Sequence, residues 1–173
     1  MEINMKIKKQ SVFDYGVFSA IILVGIALDQ LTKWLAVKFL SVITTQPLIN
    51  GVLHLTYVEN RGAAFGMLAN HRWVFILISS VTILLLIGVL YLGYLPNMLY
   101  KISVSMIISG GIGNMIDRLI LGYVVDFIDF RLINFAVFNG ADSFVCIGAG
   151  LMVLALIKDI MDESKTKKQD GTP

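Results

Sequence analysis

Residues 110–143, around which the chain is organised, begin with GGIGNMIDRLILGYVVDFIDF at 110–130 and end with FNGADS at 138–143. Charged groups at membrane depth are costly, so they usually face a protein interior and mark a working site. We expect two of the acids, Asp126 and Asp142, to carry the chemistry. The ionisable side chains of the stretch, all set among apolar runs, are Asp117, Arg118, Asp126, Asp129, Arg131 and Asp142.

The composition of the chain is that of a membrane protein. Of its 173 residues, 57% are hydrophobic, which is more apolar surface than a soluble domain of this size can cover. The single cysteine, Cys146, excludes an internal disulfide and a cysteine-based metal site. Its apolar neighbours predict a buried, inert thiol. The two histidines, His54 and His71, form no metal signature, so we expect neither a metal nor another cofactor.

The first membrane span is predicted from Phe13 to about Lys33, which is long enough to cross roughly 30 Å of hydrocarbon. No small-x-small cleavage site closes this apolar run, so we interpret it as a retained span and not a cleaved signal peptide. Asp29 and Lys33 are four residues apart and share a helix face, in the favourable order for an ion pair. This pair either holds the helix end near the interface or helps to shape a site.

Three further spans are predicted. The uncharged run from Trp73 ends at a turn containing Pro96, the third span runs from Lys101 to about Gly122, and the fourth starts near Phe138 or Asp142 and ends at about Ile157. The expected fold is an all-α membrane protein with four transmembrane helices and a small extramembrane β-containing subdomain. Residues 1–160 form a single domain, with the outer subdomain at 41–72, and residues 161–173 form a basic, disordered cytosolic tail.

The outer subdomain is predicted from a change of character after the first span. Loop-forming residues precede VLHLTYV at 52–58, which has the β-branched and aromatic content of a strand. We expect a strand or two and a short helix, resting on the membrane.

The distribution of lysines predicts the orientation in the membrane. Four spans place both termini on the same side, and the positive-inside rule assigns that side to the cytoplasm. The outer ends of the spans then bring Asp29, Asp126 and Asp142 to a similar depth at the outer interface. The lysines that set this bias are Lys6, Lys8, Lys9, Lys101, Lys158, Lys165, Lys167 and Lys168.

Two neighbouring carboxyl groups suit hydrolysis of an amide by water. They cannot both ionise easily, so one carboxylate takes a proton from water while the other, as an acid, polarises the carbonyl. The pair titrates as a unit, so the sequence does not assign the acid. No serine–histidine–aspartate set, HExxH motif or thiolate site offers another hydrolytic chemistry.

The residues alone leave alternatives open. Asp129 competes with Asp126, although an interfacial surface pair with Arg131 is the interpretation we favour. The aspartates could also be structural partners of Arg118 and Arg131. A small transporter would use intramembrane carboxylates too, but these acids lie at one interface and not in a relay. A purely structural membrane subunit would tolerate loss of both candidate catalytic acids.

Several motifs in order resemble the bacterial lipoprotein signal peptidases, the type II signal peptidases, over nearly the whole chain. These motifs are DQLTK at 29–33, ENRGAAFG at 59–66, GGIGNMIDR at 110–118, GYVVDFIDF at 122–130 and FNGADS at 138–143.

The resemblance implies a membrane aspartic endopeptidase of the bacterial inner membrane that removes signal peptides from diacylglyceryl-modified prolipoproteins. It implies that Asp126 and Asp142 are catalytic and that no nucleic acid is involved. We expect a monomer among membrane lipids. The residues expected to bind substrate or support the site are Asn60, Gly62, Asn114, Arg118, Asn139, Asp29 and Lys33.

Overall fold

The computed structural model of the chain describes residues 10–62 and 71–169. In this part of the chain, four helices are long and apolar enough to cross a membrane, as predicted. In chain order the elements are α1 (Val12–Ile43), β1 (Thr45–Ile49), β2 (Leu53–Asn60), α2 (Arg72–Tyr91), α3 (Met98–Ile120), β3 (Val124–Phe130), a 3₁₀ turn (Arg131–Ile133) and α4 (Gly140–Gln169).

The central helix is α3, which packs against α1, α2 and α4. Its buried face is rich in small residues, which let helix backbones approach closely. A side chain at Gly110 would meet the backbone carbonyl oxygen of Ala141 in α4, and one at Gly113 would meet the carboxylate of Asp29 in α1. These two glycines therefore allow α3 to pack closely against α4 and α1.

The first helix extends further than the sequence suggested. It begins after Ser11, whose hydroxyl accepts a hydrogen bond from Asp14 N, and continues to Ile43. Asp29 and Lys33 therefore lie within the helix and not at its end. Both are buried, at 1% and 3% exposure, so the interpretation of a pair at the helix end is wrong.

The extramembrane part is an antiparallel three-stranded sheet with the order β1-β2-β3. The hairpin β1–β2 confirms the strands predicted between 41 and 62, whereas the short helix is not seen there, and residues 63–70 lie outside the described ranges. The third strand was not predicted. It pairs with β2, Val58 opposite Asp126 and His54 opposite Asp129.

The last helix also differs from the expectation. We predicted a disordered tail from residue 161, but α4 continues to Gln169. Residues 158–169 contain no glycine or proline and many good helix formers, so nothing in them stops the helix. Tyr100 Oη of α3 also donates a 2.8 Å hydrogen bond to Asp159 Oδ2, which holds the extension against the bundle.

Candidate active site

Asp126 and Asp142 face the same cavity, of about 720 Å³, at the sheet end of the helix bundle. Asp126 comes from β3, and Asp142 from the first turn of α4. The expected residues Asn60, Gly62, Asn114 and Arg118 also line this cavity. Apolar side chains that the sequence analysis did not single out form the remaining walls, among them Phe75, Val124, Phe135, Val137, Phe138 and Ile147.

Asp126 is held by two amide side chains. Its side chain is almost fully buried, Asn60 Nδ2 donates to Oδ2 at 2.8 Å, and Asn139 Nδ2 donates to Oδ1 at 2.7 Å. Burial raises the pKa of the Asp126 carboxyl to about 6, even though both amide hydrogen bonds favour the charged form. Asp126 is therefore able to hold a proton near neutral pH.

Asp142 belongs to the capping box of α4. Asn139 Oδ1 accepts a 3.0 Å hydrogen bond from Asp142 N, and Asp142 Oδ2 accepts one of 3.2 Å from Asn139 N. Asn114 Nδ2 donates to the other oxygen, Oδ1, at 2.7 Å. The positive end of the helix dipole also favours a negative charge at this position. A residue that starts the helix thus presents its carboxylate to the cavity.

Asn139 joins the two aspartates, as the sequence led us to expect of a residue bordering them. It is fully buried and bonds to Asp126 through its side chain and to Asp142 through its backbone. Its Nδ2 also lies 3.0 Å from Asn114 Oδ1. The two carboxylates are therefore fixed by a common set of amide donors.

Arg118 lies on the wall of the cavity. Its guanidinium donates to Gly62 O at 3.2 Å and Asn114 O at 3.4 Å, and it lies over the Phe75 ring at 4.9 Å. Among the residues that the structure describes, it makes no ion pair. The alternative in which Arg118 is the salt-bridge partner of the aspartates is therefore wrong.

Asp129 lies on the opposite face of β3 from Asp126, because three residues along a strand reverse the side-chain direction. It pairs with Arg131 at 2.9 Å, as we favoured, and accepts a 2.7 Å hydrogen bond from Thr56. Burial would raise the pKa of Asp129, but the bonds from Thr56 and Arg131 outweigh it and hold that pKa below its ordinary value. Asp129 therefore does not compete with Asp126 for the cavity.

Lys33 and Asp29 lie behind the cavity in a buried polar network. Lys33 Nζ lies 2.9 Å from Asp29 Oδ2, 3.0 Å from Asp117 Oδ2 and 2.9 Å from Asn114 Oδ1. Asp117 was not among the residues expected at the site. Its position one helical turn after Asn114 was the available signal, since i and i+3 share a helix face.

Cys146 corrects another expectation. It lies one turn after Asp142 on α4, is exposed, and lines the cavity, so it is not a buried thiol. The apolar neighbours in sequence surround an open cavity here and not a filled core.

The described residues contain no group of three histidine, cysteine, aspartate or glutamate side chains placed to hold a metal ion. The chemical groups at hand are two carboxyls, amide donors and one guanidinium.

Comparison with known proteins gives consistent matches. The family described as signal peptidase (SPase) II matches residues 21–158. A lipoprotein signal peptidase of Caldanaerobacter subterraneus subsp. tengcongensis is 51% identical over 141 residues, covering 80% of this chain and 95% of the relative. One from Clostridioides difficile is 45% identical over 148 residues, covering 85% and 97%.

The fold matches solved structures as well. A bacterial membrane enzyme determined by the in meso method at 2.3 Å resolution superposes with a TM-score of 0.76 at 30% identity, covering 91% of this chain and 95% of the other. A second such structure, at 1.9 Å resolution, gives a TM-score of 0.75 at 31% identity, covering 89% and 99%.

Proposed function

The chain belongs to the signal peptidase II family of aspartic proteases, and from that premise we propose that Asp126 and Asp142 cleave diacylglyceryl-modified prolipoproteins before the lipidated cysteine. Membership of the family supports the coarser statement, that a multi-pass membrane enzyme removes signal peptides from prolipoproteins. The proposal that the two aspartates cleave a lipid-modified precursor rests on one observation. The two carboxyls are joined by Asn139 and lie in a large, mostly apolar cavity.

In this mechanism one carboxylate takes a proton from a water molecule, whose oxygen attacks the scissile carbonyl carbon. The other carboxyl, protonated at the start, donates a hydrogen bond to the carbonyl oxygen. Transfer of a proton to the amide nitrogen accompanies cleavage of the carbon–nitrogen bond. The products are a signal peptide with a new carboxylate and a lipidated cysteine whose new amino terminus is an ammonium group, and the pair of carboxyls recovers its single proton.

The cavity walls favour a substrate that is part peptide and part hydrocarbon. Phe75 from α2 and Ile147 from α4 present apolar surface next to the carboxyls, which suits acyl chains that enter from the bilayer. We assign contact with the peptide to Asn60 and Gly62, at and just after the end of β2, and contact with its carbonyls to the guanidinium of Arg118, because all three residues line the cavity.

We place the enzyme in the bacterial inner membrane as a monomer among lipids, with both termini in the cytoplasm and the cavity near the outer face. The charge pattern supports this orientation. Lys101 lies in the first turn of α3, at the opposite end from the cavity, and Lys158 lies late in α4.

The test is cleavage of a purified diacylated precursor, compared with its non-acylated form. Asp126→Asn and Asp142→Asn should each fold and fail to cleave. Asp129→Asn is the matched control, because it makes the same change on β3 but on the face away from the cavity, and it should still cleave. A metal chelator should leave the rate unchanged.

Cleavage by Asp126→Asn or by Asp142→Asn would contradict the proposal. Equal cleavage of the diacylated and non-acylated precursors by the wild type would contradict it as well. Solute flux in liposomes without cleavage would support the transporter alternative instead.

A further inference from the structure

We propose that Lys33 is the positioning residue of the two carboxyls: its ammonium ties the segments that carry Asp126 and Asp142 to one point and turns the amide of Asn114 toward Asp142. This inference deepens the proposed function and rests on it for its kinetic consequences. Lys33 does not line the cavity, so it acts through its partners and not on the substrate.

All three donors of the ammonium have partners. They are Asp29 Oδ2 at 2.9 Å, Asp117 Oδ2 at 3.0 Å and Asn114 Oδ1 at 2.9 Å, and the Lys33 side chain is 4% exposed. A lysine buried to this degree is rare unless it is fully paired. The ammonium of Lys33 therefore has no unused donor, and its position is fixed by contacts on three sides.

Each carboxylate partner also holds the backbone beside a candidate catalytic residue. Asp29 Oδ1 accepts a 2.8 Å hydrogen bond from Ala141 N, the residue before Asp142. Asp117 Oδ2 accepts one of 3.1 Å from Val125 N, the residue before Asp126. The start of α4 and the strand β3 are thus linked through two carboxylates that share one ammonium.

The contact between Lys33 and Asn114 fixes which end of the Asn114 side-chain amide faces Asp142. An ammonium has no acceptor, so the atom of Asn114 that faces it must be the oxygen. The NH₂ group of Asn114 is then the end that meets Asp142 Oδ1, at 2.7 Å. Without the ammonium, only Asn139 Nδ2 would still favour this orientation from the oxygen side.

The first experiment measures cleavage by Lys33→Met, with Lys38→Met as the control. Lys38 is on the same helix but is exposed, with its ammonium over the Trp34 ring at 4.9 Å. We expect Lys33→Met to lower kcat about 10- to 100-fold with KM nearly unchanged, the effect of a lost charge-assisted hydrogen bond. Lys38→Met should behave as the wild type. A Lys33→Met variant that keeps wild-type kcat would overturn the inference.

The pH profile separates positioning from loss of folded protein. If the pair of carboxyls loses the hydrogen bond from Asn114, the acidic limb of kcat/KM moves to higher pH, whereas a smaller folded fraction lowers the curve without moving it. In an Asn114→Ala background the same lysine substitution should move the limb less than in the wild type, because only the direct effect of the lysine charge on Asp126 remains. The charged groups around Asp142 are Arg118 and Asp117 on α3, Asp29 on α1 and Asp126 on β3. Loss of Lys33 also removes the counter-charge of Asp29 and Asp117 and its direct electrostatic effect on Asp126, and the Asn114→Ala background measures that part by itself.

Amide hydrogen exchange tests, without substrate, whether Lys33 holds the segments that carry the two aspartates. Lys33→Met should speed exchange at Ala141 and Val125, while Ile128, whose N–H bonds to Phe138 O at 2.8 Å, should keep its rate. If Lys33→Met does not fold, Lys33→Gln, which keeps two donors, takes its place with smaller effects in the same directions. Unchanged exchange at both amides overturns the inference. If the wild type does not cleave the precursor, the proposed function is contradicted. The exchange rates at Ala141 and Val125 would still test whether Lys33 holds these two segments together.

Discussion

The side-chain amide of Asn139 donates a 2.7 Å hydrogen bond to Asp126 Oδ1 from the residue that also caps the helix of Asp142. One side chain thus connects the start of α4 with the strand β3. The relative position of the two carboxyls therefore depends on this residue.

Asn139→Asp should separate the two roles of this position. The oxygen that caps α4 remains, so the cap itself should change stability by no more than about 1 kcal/mol, whereas a second carboxylate buried beside Asp126 adds a further cost at neutral pH. The donor to Asp126 is replaced by a carboxylate that repels it, so kcat should fall about 100-fold. Thermal unfolding and cleavage kinetics on the same sample measure both effects. Intact turnover per folded molecule would show that the hydrogen bond from Asn139 to Asp126 does not matter for cleavage.

The buried carboxyl of Asp126 should make stability depend on pH. Burial raises its pKa to about 6 from 3.8, so between these values the folded chain binds more protons than the unfolded chain. Its contribution is therefore most favourable below pH 4 and weakens as the pH rises to about 6, by about 3 kcal/mol in all. Relative to the wild type, Asp126→Asn should be more stable at pH 7.5 than at pH 4.

Asp129→Asn supplies the control of opposite sign. The pKa of Asp129 is lowered in the folded chain, since the bonds from Thr56 and Arg131 outweigh burial, so its stabilisation is present above the unfolded pKa and lost as the pH falls. The variant should be less stable than the wild type at pH 7.5 and closer to it at low pH. Parallel pH dependence of the two variants would contradict both assignments.

Gly110→Ala should disturb the contact between α3 and α4. The added methyl group would meet the carbonyl oxygen of Ala141, and such overpacking costs about 1–3 kcal/mol. Gly88→Ala is the matched change in α2, where no atom lies within 4 Å, and it should stabilise the helix by up to about 1 kcal/mol. Thermal unfolding in detergent compares the two, and equal effects would argue against the close approach.

Covalent labelling of Cys146 should block the cavity. Because its thiol is exposed on the cavity wall, a benzyl methanethiosulfonate should attach there and strongly lower cleavage of the diacylated precursor. Cys146→Ala should cleave normally and resist the reagent. Full activity of the labelled wild type, with labelling confirmed by mass, would place the thiol outside the path of the substrate.

The sequence predicts the helices well and the sheet only in part. Long uncharged runs mark the spans, but a short apolar segment such as Val124–Phe130 cannot be told from the end of a helix by periodicity alone. Its partner β2 is far away in the chain, so no local signal exposes the pairing. The end of α4 was misjudged because charge was taken as a sign of disorder, although these residues favour a helix.

For the site, topology and motifs together bring Asp126, Asp142 and their asparagines to one place. The contact of Lys33 with Asp117 depends on how α1 rotates against α3, which the spacing of Asp29 and Lys33 does not specify. The exposure of Cys146 depends on an empty space between helices, and the sequence carries no direct sign of a cavity.

The contrast between the floor and the walls of the cavity defines what an inhibitor of this protein has to be. Next to Asp126 and Asp142 it needs a compact group that can both donate and accept hydrogen bonds, such as a hydroxyl. Toward Phe75 and Ile147 it needs a hydrophobic extension, such as an alkyl chain. A purely polar mimic of the peptide would forgo most of the contact area, so medicinal chemistry on this target begins with amphiphiles.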